Sequence, residues 1–371
     1  MRFSRKLFVG MTLVGVAIVG TVVVQRQRKL QRGEELAALY CSACHLEPAP
    51  SILPQRSWIV ALAYMGYFLG IENTDYLDDE PTLIQVNVRT RLEYLQRDDA
   101  FPAAPVLDDD DWEALRHYYV ETAPATPLPQ VDKPTLQWEL DRFRVSRSNY
   151  QPPVPITTLV HIREDRNEVY IGDSGEQALT ILDRDGRIKV ASRRFRPAIS
   201  PVDVEFVGDT AYVASIGDLL AAEPSDAGPA HIAAVELVDQ STADATLSVV
   251  LDNLYRMADM EVVDLSGDGE LDFIVAGFGA RAGSVSWFES QQDGNYEERV
   301  LLGLPGGVKA RTHDFNDDGL LDIMALVSDA REGLHLLVNQ GGNQFVDELI
   351  FETHSGYGHT FFELQDLTTM G

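Results

Sequence analysis

The chain has two cysteines, and they fall together in Cys41-Ser42-Ala43-Cys44-His45. On a helix, sulfurs at i and i+3 share one face, and an imidazole at i+4 lies on the same side. Thiols so placed can form thioethers to the two vinyl groups of one haem while the histidine takes its iron. A redox dithiol of this spacing expects a βαβ setting, and a zinc site needs two further ligands. The local pattern is helical and there is no other cysteine. One covalent haem c is therefore expected, held by Cys41 and Cys44 with His45 on the iron. Met65 and His117 are the candidates for the opposite axial position. A thioether suits a high-potential electron carrier, so elimination favours Met65. Against this, Met65 falls on a helical stripe with Trp58, Leu62 and Leu69, where an ordinary core methionine would also stand.

A second kind of chemistry lies in two acidic nonapeptides. Asp264-Leu265-Ser266-Gly267-Asp268-Gly269-Glu270-Leu271-Asp272 returns fifty residues later as Asp314-Phe315-Asn316-Asp317-Asp318-Gly319-Leu320-Leu321-Asp322. Oxygen donors at alternate positions, with glycine at the sixth where the loop turns sharply, suit a calcium ion. The donors are expected to be Asp264, Ser266, Asp268, the Glu270 carbonyl and Asp272 in the first loop. Asp314, Asn316, Asp318, the Leu320 carbonyl and Asp322 take those places in the second. With Asp at the ninth position and no Glu at the twelfth, the loops resemble the FG-GAP calcium loop and not the EF-hand.

The elements that must position these groups follow from the rest of the pattern. Seven of the 30 Lys and Arg lie in the first 33 residues, which contain no acid, so residues 34–371 set 23 bases against all 58 acids. So acidic a body repels phosphate backbones, which argues against nucleic-acid binding. Arg2, Arg5 and Lys6 precede an uncharged stretch, Leu7–Val24, closed by Arg26, Arg28, Lys29 and Arg32. Eighteen residues at about 1.5 Å each match a bilayer core when helical. Residues 1–33 are expected to be an uncleaved signal anchor. The flanking charges are nearly balanced, so the haem motif, which is loaded outside the bacterial cytoplasm, sets the expected topology: anchored in the inner membrane, body in the periplasm.

Residues 34–125 read as a small helical domain. It has a helix over Glu34–Tyr40, one over Trp58–Leu69, and one that starts at the acidic cluster Asp108–Asp111 and carries Trp112, Leu115 and Tyr119. Residues 126–155 form a Pro-rich linker. From 156 to 371 the pattern is short strands, for instance Glu168–Gly172, Leu179–Leu182, Ala211–Ser215, Phe273–Ala276 and Ile323–Leu326. A repeat near fifty residues with about four strands per unit indicates a β-propeller. About four blades fit, and Asp366–Gly371 opens a further register, so the propeller is expected to be incomplete and continued by more repeats or by a partner chain.

Residues 34–125 also resemble the cytochrome c portion of bacterial multidomain proteins that join a c-type haem domain to FG-GAP/VCBS-type repeats. The matching stretches are Tyr40 through His45, Leu53-Pro54 ahead of Trp58, Met65-Gly66-Tyr67-Phe68-Leu69-Gly70, and Asp111-Trp112-Glu113 leading to Tyr118-Tyr119. The resemblance covers most of the chain and implies Met65 as the axial ligand. The expected fold class is multidomain: a transmembrane helix, an all-α cytochrome c-like domain and an all-β propeller. The expected function is electron transfer with a redox partner protein or a quinol-linked donor or acceptor, and no chemistry on a substrate at the iron. Two rivals are an exported dehydrogenase whose propeller holds substrate or an organic cofactor, and a propeller-based adhesion or glycan-binding protein.

Overall fold

The computed structural model describes residues 3–43, 46–97, 102–129, 133–135, 145–194, 200–219, 230–236, 247–278, 283–328, 332–352 and 362. Within these, the side chains of residues 3–20, 91, 94, 95, 97, 191–194, 236 and 247 are outside the description. The chain divides into two compact units, Met1–Thr135 and Leu136–Gly371.

In the first unit, α1 (Phe3–Tyr40) is one unbroken helix. The apolar stretch and the short helix before Cys41, separate elements in the sequence reading, are therefore the two ends of one rod. Among the described residues no helix is long and apolar enough to cross a membrane. The expected span, Leu7–Val24, falls mostly on positions whose side chains lie outside the described set.

The C-terminal half of α1 packs on α4 (Asp109–Thr122). Arg26 pairs with Glu121, Lys29 with Glu113 at 3.1 Å, and Arg32 with Asp111 at 2.6 Å, an order that makes the two helices antiparallel. Exposed pairs of this kind contribute about 0–1 kcal/mol each. The stronger term is apolar: Leu36 and Ala37 are buried against Ala114, Leu115 and Tyr119. Gly33 permits that contact, since a Cβ there would lie 2.2 Å from the Ala114 carbonyl oxygen and 2.6 Å from Tyr118 Cβ. Helix α4 starts where the acidic cluster lies, with the Asp108 carboxylate accepting the Asp111 N–H at 2.8 Å.

Helix α2 (Gln55–Phe68) follows Pro54 and buries Trp58, Leu62, Ala63, Gly66 and Tyr67. Helix α3 (Thr82–Arg97), which the sequence reading does not contain, buries Val88 against Ala63, Tyr67 and Leu77. Its Ile84, Val86 and Val88 are β-branched at alternate positions, a pattern that reads as strand until tertiary packing decides otherwise.

The second unit is four antiparallel sheets of four strands, each a propeller-like blade. They are β1–β4 (Thr157–Arg163, Glu168–Asp173, Ala178–Asp183, Ile188–Arg194), β5–β8 (Pro201–Val207, Thr210–Ser215, Ala230–Glu236, Leu247–Leu254), β9–β12 (Met257–Val263, Asp272–Gly277, Ser284–Ser290, Tyr296–Leu302) and β13–β16 (Gly307–His313, Asp322–Val327, Gly333–Asn339, Phe345–Glu352). The first strands of consecutive blades pack on one another, β1 on β5, β5 on β9 and β9 on β13, so they form the inner edge of the arc. Each carries a bulge next to its second strand, and the residues paired just beyond it share one register: Val160 with Ile171, Val204 with Val213, Met260 with Val275 and Ala310 with Ala325.

Between blades the cores are apolar. Leu159, Tyr170, Val204 and Val213 join the first to the second, and Ile232, Met260 and Phe273 the second to the third. Trp287, Ile274, Ile323 and Ala325 join the third to the fourth. Val204, Met260 and Ala310 are fully buried against the preceding blade, whereas the equivalent Val160 is 61% exposed. Among the described residues, β13 and β1 share no packing of the kind that joins the other inner strands. The further register expected from Asp366 lies outside the described residues.

Candidate functional site

Helix α1 ends at Tyr40, and Cys41–Ala43 continue as a short 3-10 turn. Cys41 is half-buried against a cluster that includes Leu36, Trp58, Leu62, Trp112 and Tyr119. Burial pushes the Tyr119 phenol up, and the Cys41 thiol beside it pushes the same way. Cys44 and His45 lie outside the described residues. Met65 is 44% exposed. Its neighbours on the helical stripe, Trp58 and Leu62, are buried. Leu39, Ile52 and Phe68 are exposed as well. Leu39 lies at the end of α1, Ile52 in the turn at Pro50–Ile52, and Met65 and Phe68 on α2. His117 on α4 is half-buried.

The two acidic loops connect β9 to β10 and β13 to β14, and they fold alike. Asp264 accepts the N–H groups of Gly267, Asp268 and Gly269 at 2.8–3.0 Å, and Asp314 accepts those of Asp318 and Gly319 at 3.0 and 2.8 Å. Asp268 and Asp318 each accept the N–H two residues on, at 2.9 and 2.8 Å. Gly269 and Gly319 have φ of +92° and +87°, the left-handed turn that the sixth position requires.

The ninth residue behaves differently. Asp272 is fully buried, with one oxygen accepting from Leu265 and Ser266 N–H at 3.1 Å and the other from Ser290 N–H at 2.8 Å. Asp322 repeats this with Phe315 and Asn339. These two carboxylates tie the loop to its own strand and to the next hairpin. Ser266 Oγ is buried with no hydrogen-bond partner, an orphaned oxygen at the third position of the loop. Glu270 and Leu320 stand at the seventh position, on the exposed side of the turn. Among the described residues no three His, Cys, Asp or Glu side chains converge as a ready-made metal site. The loop carboxylates point their oxygens at backbone N–H groups instead.

Residues 264–325 match the FG-GAP-like repeat. That stretch contains both acidic loops and runs from the first of them into β14, so the FG-GAP-like match lies within blades three and four. No curated protein matches the chain. Among solved structures, similarity is found to a candidate 6-phosphogluconolactonase from Bacteroides fragilis, with 14% identity over 54% of this chain and 56% of that one, at a TM-score of 0.36. The Kuenenia stuttgartiensis hydrazine synthase gives 14% identity over 52% and 53%, at 0.35. The Dos1 propeller gives 12% over 53% and 47%, at 0.36. The chain thus spans about half the length of these structures, and at such TM-scores the likeness carries no argument about activity.

One constellation is absent from the sequence reading. Inner strand β5 carries Asp203 and Glu205, β9 carries Asp259 and Glu261, and β13 carries Lys309 and Arg311, in matching registers. Asp203 accepts the Met260 N–H at 3.1 Å and Asp259 the Ala310 N–H at 3.0 Å, so a carboxylate of one blade caps the inner strand of the next. Glu261 accepts the Thr312 N–H and hydroxyl at 2.7 and 2.9 Å. Arg311 donates to Asp259 at 2.7 Å and stands 3.9 Å from Glu205. Burial pushes all four carboxyls up, Asp259 to about 6 and Glu205 to about 7, with Asp203 adding to both. The signal was present as acid-x-acid at 203 and 259 followed by Lys-x-Arg at 309, a period of fifty to fifty-six residues.

Proposed function

We propose that the chain is a membrane-tethered c-type cytochrome that transfers electrons outside the cytoplasm, with a calcium-binding propeller of FG-GAP-like repeats as its docking or recognition unit. The observation that carries this reading is Cys41, the first residue of the motif, half-buried at the end of a long helix against the apolar cluster of Leu36, Trp58, Leu62, Trp112 and Tyr119. A cysteine held against apolar and aromatic side chains suits a flat apolar ligand, because apolar surface that such a ligand covers is removed from water. Cys41 and Cys44 would hold haem c by thioethers and His45 its iron, with Met65 the better of two partners opposite. When bound, haem c supplies a one-electron Fe(III)/Fe(II) couple. The α1–α4 seam would orient the attachment motif, and the aromatic cluster of Trp58, Trp112 and Tyr119 would keep water from it.

In the propeller, Asp264, Ser266, Asp268, Asp314, Asn316 and Asp318 are the proposed calcium donors, with the carbonyls of Glu270 and Leu320. The orphaned Ser266 hydroxyl supports this, since a buried oxygen without a donor is costly unless a cation or water meets it. Asp272 and Asp322 brace the loops. The uncovered Val160 face supports continuation of the arc by further blades or a partner chain. The test is chemical: protein denatured and extracted with acid–acetone should retain its haem, and haem lost to the solvent would overturn the covalent reading. A second reading, an exported dehydrogenase, draws on the charged inner-strand cluster. Haem reduction by a small organic substrate without a protein partner would favour it.

A further inference from the structure

The inner edge of the arc holds more negative than positive charge, and the excess has an address. Four carboxylates, Asp203, Glu205, Asp259 and Glu261, face two bases, Lys309 and Arg311. Three of the four are satisfied by other means. Asp203 accepts from the N–H of Val204 and of Met260. Asp259 accepts from Ala310 N–H and takes the short contact with Arg311, and Lys309 stands 3.9 Å from it. Glu261 has the N–H and hydroxyl of Thr312. Glu205 has only the distant edge of Arg311, at 3.9 Å.

The elements around Glu205 bring no further cation. Strand β6 places Tyr212 opposite it. Strand β1 brings His161, which lies against Phe206, and Arg163, which binds Asp165 and the Gly208 carbonyl. Strand β2 brings Glu168 and Tyr170, which bond to each other. Among the described residues no other base stands within ion-pair distance of Glu205.

We propose that this joint between the second, third and fourth blades is a proton-sensitive clasp, in which Glu205, the carboxylate of the four with neither a backbone N–H donor nor a close base, takes up a proton. With the proton bound, Glu205 is neutral and the three capping carboxylates are relieved of a like charge. When it leaves, four carboxylates crowd two bases, and the contacts Asp203–Met260, Asp259–Ala310 and Glu261–Thr312 are strained together. The clasp joins three blades through backbone N–H groups, so a single proton bears on the packing of the whole inner edge.

The direction follows from linkage. Burial and the neighbouring acids raise the Glu205 carboxyl to about 7 in the fold, so the folded state binds the proton more tightly than the unfolded one. The stabilisation is complete below the usual glutamate range and is lost as pH rises through about 7. Between pH 6 and 8 the folding constant of the propeller should fall roughly tenfold.

The experiment uses the full chain in detergent, with urea unfolding followed on the sheet signal from pH 5.5 to 8.5, in wild type and Glu205→Gln. The amide keeps size and polarity and removes the titration. The fall between pH 6 and 8 is expected to be roughly tenfold smaller in the variant than in the wild type, the remainder coming from Asp259 at about 6, while Glu261→Gln, which loses an acceptor but keeps Glu205, retains the Glu205 part of the fall. An unchanged slope in Glu205→Gln would overturn the proposal. Should that variant fail to fold, the infrared band of a protonated carboxyl in wild type labelled with carbon-13 glutamate decides the matter. The band should be present at pH 6 and gone by pH 8.5, and its absence at pH 6 overturns the proposal.

Discussion

Asp272 and Asp268 lie four residues apart in one acidic loop, yet their losses should look nothing alike. Asp272→Ala removes the acceptor for three backbone N–H groups, those of Leu265, Ser266 and Ser290, at a fully buried position. Each buried donor left bare costs about 1–3 kcal/mol. Partial relaxation brings the sum to about 4 kcal/mol, a large share of a stability of roughly 5–15 kcal/mol. Asp268 is exposed and accepts only the Glu270 N–H, so in chelator its loss to Ala should cost no more than about 0.5 kcal/mol. With calcium the ranking changes for Asp268 alone. A ligand at a hundred times its Kd adds about 2.7 kcal/mol to the folded state, and the Asp268→Ala variant should forfeit most of that. The assay is urea unfolding of the strand-rich unit with EDTA and with calcium. A cost for Asp272→Ala below about 1 kcal/mol in EDTA, or one seen only with calcium, would refute the division between bracing and ligating carboxylates.

Other outcomes follow from the same structure. Cys41→Ser with Cys44→Ser should yield apoprotein, measured by haem stain after denaturing electrophoresis. Met65→Ala should abolish a sulfur-to-iron charge-transfer band and lower the reduction potential, and the same loss from His117→Ala instead would transfer the axial role. Gly33→Ala forces a methyl to within 2.2 Å of the Ala114 carbonyl, so the helical unit should lose about 1–3 kcal/mol, read from helix melting by circular dichroism. An unchanged melt would mean that α1 and α4 do not meet there.

Much of the propeller was legible because its signals are local and repeated. Asp at the first and ninth positions, glycine at the sixth and an apolar run behind them specify a loop feeding a strand, and β10 and β14 begin at Asp272 and Asp322. The sequence could not say that the ninth Asp faces inward, because two of the donors it accepts from are the N–H groups of Ser290 and Asn339, eighteen and seventeen residues away. Helix α3 was hidden by the alternating Ile84, Val86 and Val88. Helix α1 was split in two because the basic run ahead of Gly33 reads as the end of a membrane span. The contacts that bind it to α4 bridge seventy-nine to ninety-five residues. The inner-strand acids escaped notice for the same reason: Asp203 and Glu205 are unremarkable in sequence until β9 and β13 bring Asp259, Glu261 and Arg311 beside them.

The unbroken α1 helix changes what kind of attachment the first unit has. Under the proposed topology, seventeen residues separate Val24 from Cys41, and at a rise of about 1.5 Å each they form a stiff post of about 25 Å. It is bolted to α4 along its length, by the ion pairs at Arg26, Lys29 and Arg32 below and by Gly33 and Leu36 above, so the proposed attachment motif would not swing on a leash to seek a distant donor. Its height above the bilayer is set by the number of residues in the rod. Lengthening α1 by one turn would raise the motif by about 5.4 Å, and a partner that delivers electrons must arrive at that level.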